Sequence, residues 1–291
     1  KLLKSMGCNT IRTSHNIVSA EMMDLCDRLG FYVVDECFDK WVQGAYSRFY
    51  ETDATTDLAY LIRRDRNRPS VVMWSMGNEI DDQGSASMLT ILKRLCNFTR
   101  TLDNRPVTVA MSPHYQNPEG ESVEGQVEDN VAAAGRIADV VDIISCNYQE
   151  QWYEAIHRAC PEKLILGTES YMFFRGSYAH NFNYGTENPW MDVIRHDYVI
   201  GSCLWAGVDY LGESMGFPSK GWGGTPVQTN LVRKPISYLW ESYWSEKPMV
   251  HISILDYTKP AEIVREPWSE LPLSDCWNYP MFVKMPMVYM I

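Results

Sequence analysis

No run of 18 apolar residues occurs in the 291-residue sequence, so no membrane-spanning helix is expected. No basic stretch followed by an apolar core occurs at its start, so no signal peptide is visible in it. Positive charge is scarce. Lys plus Arg number 26 against 37 Asp plus Glu, a net charge of -11, which is a poor match to a phosphate backbone and argues against nucleic acid as a partner. The 8 cysteines form no C-x-x-C pair. Their even spread argues against a zinc site or a disulfide framework and reads as small buried hydrophobes. A glycine-rich turn is also missing after the first strand-like segment, where residues 15–18 read HNIV. That omission argues against a dinucleotide-binding fold.

What the sequence does have is aromatic weight and a regular alternation. Aromatics make up 12%, with 10 Trp and 17 Tyr, which suits a core or a stacking surface for flat apolar faces. Short apolar segments at 8–14, 31–36, 70–76, 106–111, 140–148, 163–170 and 201–211 read as strands. Helical periodicity at 19–30, 54–67, 85–100, 127–138, 150–159, 188–200 and 235–246 falls between them. Ser19 and Gly30 are the expected start and stop of the first of these helices. The strands are apolar on both faces, as in a buried parallel sheet. Seven β-then-α units in order predict an α/β fold of the (β/α)8 barrel type, one unit short of eight. Residues 1–247 are expected to form the barrel. Residues 248–291, rich in proline and ending in an apolar run, read as a linker and the start of another β-domain.

Functional groups of such a barrel collect at the C-terminal ends of its strands. Those ends carry Asp35 and Glu36, Asn78 and Glu79, Asn147 and Tyr148, Glu169, and then Trp205, Asp209, Tyr210 and Glu213. Glu79 and Glu169 each follow an apolar run and a glycine, in non-adjacent units. A facing pair of carboxylates is what glycosidic cleavage needs: one protonated to serve the leaving oxygen, one ionised to attack the anomeric carbon or activate water. Trp74, Trp152 and Trp205 could stack on sugar faces. An ion pair with a neighbouring Arg is the structural alternative for either glutamate.

The local words narrow the choice. RTSHN (12–16) followed by DLCDRLG (24–30) and VVDE (33–36), then RNRPSVVMWSMGNE (66–79), ILGTES (165–170) and YWSEKPMVHI (243–252), resemble in content and order the core of glycoside hydrolase family 2, the β-galactosidase, β-glucuronidase and β-mannosidase family. The resemblance implies a TIM barrel and a retaining mechanism, with carboxyl groups about 5–5.5 Å apart. It implies Glu79 as general acid/base and Glu169 as nucleophile. Asn78 then matches the residue that bonds the sugar 2-hydroxyl. Tyr148 matches the phenol beside the nucleophile, Arg12 and His15 the floor of the site, and Trp205 the tryptophan under the sugar. Arg12 is expected to pair Asp35 or Glu36 as well. Asp209 and Glu213 are expected to order a loop, and His114 to lie on a surface loop.

The resemblance also implies an exo-acting β-glycosidase with a carbohydrate substrate, β-galactosidase-like. The alternatives are a β-glucuronidase or β-mannosidase, or a catalytically silent carbohydrate-binding barrel. The stretch DECFDKWVQG (35–44) lacks the Glu-x-His of the magnesium-dependent galactosidases, so no metal or other cofactor is expected. The Asn-x-Lys element of the glucuronidases is missing too. Lys220 in GFPSKGWGG lacks its context, and Arg175 in FFRG is the other candidate for an acidic sugar. In the family, further domains flank the barrel, and its first strand follows them. The sequence opens at the word of the second strand, so a barrel lacking its first unit is expected. Association with such domains, or between copies, would cover the apolar C-terminal run. The compartment is left open between cytoplasm and periplasm.

Overall fold

The computed structural model describes residues 1–113, 123–177, 180–184, 187–214, 217–218, 220–256, 272–276 and 288–290. His114 lies outside them, as does most of the C-terminal apolar run. The chain opens with α1 (Leu2–Ser5) and then alternates β1 (Thr10–Arg12), α2 (Ala20–Leu29), β2 (Tyr32–Glu36), α3 (Ser47–Asp65), β3 (Val71–Asn78), α4 (Ala86–Arg100), β4 (Val107–Met111), α5 (Val123–Ala138), β5 (Ile144–Asn147), α6 (Tyr153–Ala159) and β6 (Ile165–Ser170). A hairpin of β7 (Gly176–Ser177) and β8 (His180–Tyr184) precedes α7 (Trp190–Arg195) and β9 (Val199–Leu204). A second hairpin, β10 (Tyr210–Leu211) and β11 (Gly221–Trp222), precedes α8 (Ile236–Trp244). The antiparallel strands β12 (Ile252–Leu255), β13 (Leu273–Ser274) and β14 (Val288–Met290) form a separate three-stranded sheet.

Seven strands make one parallel sheet in the order β1-β2-β3-β4-β5-β6-β9. It curls until β1 and β9 approach one another without pairing. A cleft of about 580 Å³ lies between these two edges, lined by Cys8, Ile11, Leu204, Trp190 and Trp244 among others. The helices wrap the outside. The main core, including Val33, Leu58, Leu61, Ile62, Leu92, Leu95, Ile137 and Ile156, fills the layer between sheet and helices. No helix among the described residues is long and apolar enough to cross a membrane.

Local chemistry explains most boundaries. Ser19 accepts a bond from the Met22 amide, and Gly30 closes α2 at φ 67°, the left-handed region that suits glycine. Ser85 caps α4 through the Met88 amide. Three boundaries differ from the sequence expectation. Helix α3 starts at Ser47, not 54, because Tyr50 and Ala54 extend the buried stripe of Leu58 and Ile62 back by two turns. The segment at 188–200 is helical only over Trp190–Arg195, because Val199 and Ile200 already belong to β9 in register with β6. Residues 205–211 are not the end of that strand: the chain leaves the sheet after Leu204, and Tyr210–Leu211 pairs with Gly221–Trp222. The eight cysteines are all free, five of them buried, and Cys276 is exposed.

Candidate active site

The C-terminal ends of β1, β2, β3, β5, β6 and β9 converge on one end of the barrel. Arg12, the last residue of β1, is the hub. Its side chain is 2% exposed, yet it is fully paired. Nε and Nη2 donate to Glu36 at 3.0 and 2.8 Å, Nη1 to Glu169 at 2.7 Å, and Nη2 also to Asn78 Oδ1 at 2.9 Å. A planar, permanently charged fork suits this double carboxylate grip. Of the two adjacent acids of β2, Glu36 faces the site. Asp35 points the other way, as strand alternation requires, and accepts from Thr13. Arg12 therefore pairs Glu36 and not Asp35.

Burial would raise Glu36, but Arg12, His15 and Ser75 outweigh it and hold the carboxyl below its ordinary range. Glu169 goes the other way. Burial pushes it up, Arg12 pulls it down, and the Glu79 charge pushes it up again, for a net rise. Tyr148 donates its hydroxyl to Glu169 Oε2 at 2.7 Å. Burial, followed by the Glu169 charge, keeps that phenol protonated. Its backbone amide donates to the Glu169 carbonyl at 2.8 Å.

Glu79 lies just past β3 and accepts from Asn147 Nδ2 at 3.1 Å. The same amide donates to Asn78 Oδ1 at 2.9 Å. A continuous path of hydrogen bonds thus runs from Glu79 through Asn147, Asn78 and Arg12 to Glu169. Glu79 and Tyr148 both hold positive φ, 46° and 53°, where a side chain is strained by about 1–3 kcal/mol. In each case a neighbouring strand secures the backbone: the Glu79 amide donates to Ala110 O and that of Tyr148 to Glu169 O. Gly77, at φ +155°, lets the chain pass Trp41, whose Nε1 would lie 2.5 Å from an added Cβ.

His15 Nδ1 is 2.7 Å from Glu36 Oε1, and its ring stacks on Trp205 with centroids 4.9 Å apart. The structure therefore brings all seven expected site residues together: Arg12, His15, Asn78, Glu79, Tyr148, Glu169 and Trp205. The expectations for Trp74, Trp152 and Arg175 fail, while those for Asp209 and Glu213 hold. Trp74 and Trp152 are core residues, 0% and 1% exposed, and cannot face a sugar. Arg175 is taken up by Glu187 at 2.7 Å and Asp192 at 2.6 Å, which leaves it no carboxylate of a sugar to serve. Asp209 accepts from Thr225 and Lys234, and Glu213 accepts from Tyr210, so both order the loop after β9. Asn147, Asp39 and Lys40 are site residues to which the sequence reading gave no role. The position of Asn147 at a strand end was the available signal. Among the described residues no three His, Cys, Asp or Glu side chains are placed to hold a metal ion.

Parallel strands with carboxylates gathered at their C-terminal ends place the chain among the α/β-barrel enzymes. The family described as "Glycosyl hydrolases family 2, TIM barrel domain" matches residues 1–209. The chain belongs to glycosyl hydrolase family 2. It is 30% identical to "Beta-galactosidase BoGH2A" of Bacteroides ovatus, over 87% of this chain and 36% of that protein. It is 28% identical to the human "Beta-glucuronidase", over 84% of this chain and 39% of that protein. A solved glycosyl hydrolase family 2 member from Bacteroides cellulosilyticus superposes with a TM-score of 0.79 at 31% identity, covering 96% of this chain and 35% of that one. The chain thus spans well under half the length of these relatives.

Proposed function

We propose that this barrel is the catalytic domain of a retaining exo-β-glycosidase of the β-galactosidase type. The observation that carries this reading is the contrast between the two glutamates. Glu169 is buried and gripped by Arg12 and Tyr148, the environment of a fixed nucleophile. Glu79 keeps a side chain 26% exposed, the environment of a group that exchanges protons with substrate and water. In the first step Glu169 bonds to the anomeric carbon, the bond to the leaving oxygen breaks, and Glu79 gives that oxygen its proton. In the second, Glu79 takes a proton from water as the water displaces Glu169. Trp205, backed by His15, offers an apolar face to the sugar, and Asn78 can offer an amide hydrogen to a sugar hydroxyl.

A neutral sugar is favoured because Arg175 is consumed by Glu187 and Asp192. The name of the Bacteroides ovatus relative points the same way. A β-glucuronidase is the second reading, supported by the name of the human relative. We further propose that residues 1–247 are the barrel and that 248–291 lead into a β-sandwich, a reading supported by the antiparallel sheet of β12, β13 and β14.

The test is covalent trapping. The chain is incubated separately with activated 2-deoxy-2-fluoro β-galactoside, β-glucuronide and β-mannoside, then digested and mapped by mass. The expected result is a galactosyl tag on Glu169. A tag from another sugar on Glu169 changes the substrate and keeps the mechanism. A tag on a different residue, or none from any sugar on a folded chain, overturns the proposal.

A further inference from the structure

The stretch DECFDKWVQG, noted above for its lack of histidine, places a cation beside Glu79. Lys40 Nζ lies 3.7 Å from Glu79 Oε2 and 3.2 Å from Asp39 Oδ1. The loop carrying it is pinned to β3. The Asn78 amide donates to the Asp39 carbonyl at 2.9 Å, and Asn78 Nδ2 donates to Asp39 Oδ1 at 3.2 Å. Trp41, the next residue, is fully buried and donates Nε1 to Met76 O at 2.6 Å. Lys40 therefore stands on a fixed base, with its side chain 32% exposed.

We propose that Lys40 is a positioning residue for acid catalysis, the counter-charge that meets Glu79 as it loses its proton. The inference rests on the reading of Glu79 as acid/base given above. In the first step the proton passes from Glu79 to the leaving oxygen, which also receives the electron pair of the breaking bond. The carboxyl becomes a carboxylate with both oxygens already served: Oε1 by Asn147 Nδ2 at 3.1 Å, Oε2 by Lys40. Donors aimed at charge that develops in the transition state accelerate a step without reorganisation. Asp39 gives the arrangement its economy. While Glu79 is protonated, Lys40 is paired with Asp39 and is not an isolated cation.

The other charges around the pair do not take this role. Glu169 and Glu36 are matched by Arg12. Burial opposes the charge on Lys40, but Asp39 and Glu79 outweigh it and keep the amine protonated, with its titration raised. Arg12 is committed to Glu36 and Glu169 and stands on the far side of Asn78.

Leaving-group dependence tests this. Glycosides with a poor leaving group need the proton of Glu79; a 2,4-dinitrophenyl leaving group does not. In Lys40→Met, kcat/KM for phenyl β-galactoside is expected to fall about 5- to 10-fold, and that for 2,4-dinitrophenyl β-galactoside less than about 2-fold. Lys40→Arg is expected to restore most of the phenyl value, and thermal melting of both variants to match the parent. Equal losses on both glycosides, or no loss on either, overturn the inference. Azide rescue of Glu79→Ala on the dinitrophenyl substrate tests the reading beneath it. If azide restores turnover while Lys40→Met shows no leaving-group bias, Glu79 is the acid/base and Lys40 is not its counter-charge. If azide does not, or the parent turns over neither glycoside, the reading falls and takes this inference with it.

Discussion

Charge on Glu169 is set by opposed forces. Burial and Glu79 raise its titration, Arg12 lowers it, and the Tyr148 hydroxyl at 2.7 Å adds a donor that favours the ionised form. Tyr148→Phe removes that donor and leaves the ring. A hydrogen bond to a charged group is worth about 1.5–3 kcal/mol, so kcat/KM is expected to fall on the order of 10- to 100-fold. The acid limb of its pH profile should move upward, because an ionised Glu169 becomes harder to form. Steady-state kinetics across pH checks both; an unmoved acid limb would show that Tyr148 does not touch the charge on Glu169. The two glutamates and Tyr148 were legible in the sequence, since each ends an apolar strand. Lys40 and Asp39 were not. They lie on a loop whose path depends on Trp41 fitting beneath Met76, a tertiary contact that no local pattern encodes.

Among the elements, the end of β3 carries two of the candidate site residues, Asn78 and Glu79, in a tightly packed turn. The pairing of β3 with β4 shifts register between Ser75 and Asn78, and Gly77 sits within that shift at φ +155°. The shift turns Asn78 toward Arg12 and Asn147, and brings Glu79 within reach of Asn147. Gly77→Ala would drive a methyl against Trp41 Nε1 and strain the backbone together. A loss of about 1–3 kcal/mol in unfolding free energy is expected, with a loss of turnover larger than stability alone explains. Urea unfolding and kinetics on the same sample check it; full activity would show that β3 tolerates the shift. Ser19→Ala is the contrasting case. It removes only the cap on the Met22 amide, about 1 kcal/mol, far from the chemistry, and kcat is expected to stay unchanged. Strand existence was legible from apolar runs, but register shifts were not. Those at β3–β4 and at Cys146–Asn147 of β5–β6 decide which side chains enter the site. The boundary at Val199 was missed for a related reason: a short β-branched pair after a helix reads as its continuation until a partner strand claims it.

For the molecule as a whole, the buried carboxyls set how stability varies with pH. Asp35 is pushed up to about 7, first by burial and then by the charge of Asp65. Glu150 is also pushed up to about 7, chiefly by burial, against the lowering effect of the Ser170 hydroxyl. Glu36, Asp27 and Glu187 are shifted down instead. A lowered carboxyl contributes stability that is complete above its unfolded value near 4 and is lost only at more acid pH. A raised carboxyl contributes stability that is complete below that value and is lost as pH climbs through the folded one. Between pH 5 and pH 8 the lowered groups no longer titrate, so the raised ones decide the slope and stability should fall as pH rises. For Glu150 the shift from 4.5 to about 7 corresponds to a loss on the order of 3 kcal/mol across that window. Glu150→Gln cannot ionise, so its urea stability should fall less between pH 5 and pH 8 than that of the parent, by on the order of 2–3 kcal/mol. Comparing each protein with itself at the two pH values removes any fixed difference in packing between acid and amide. Parallel pH dependence in the two proteins would mean that Glu150 is already ionised at pH 5, and the source of the slope would then be Asp35.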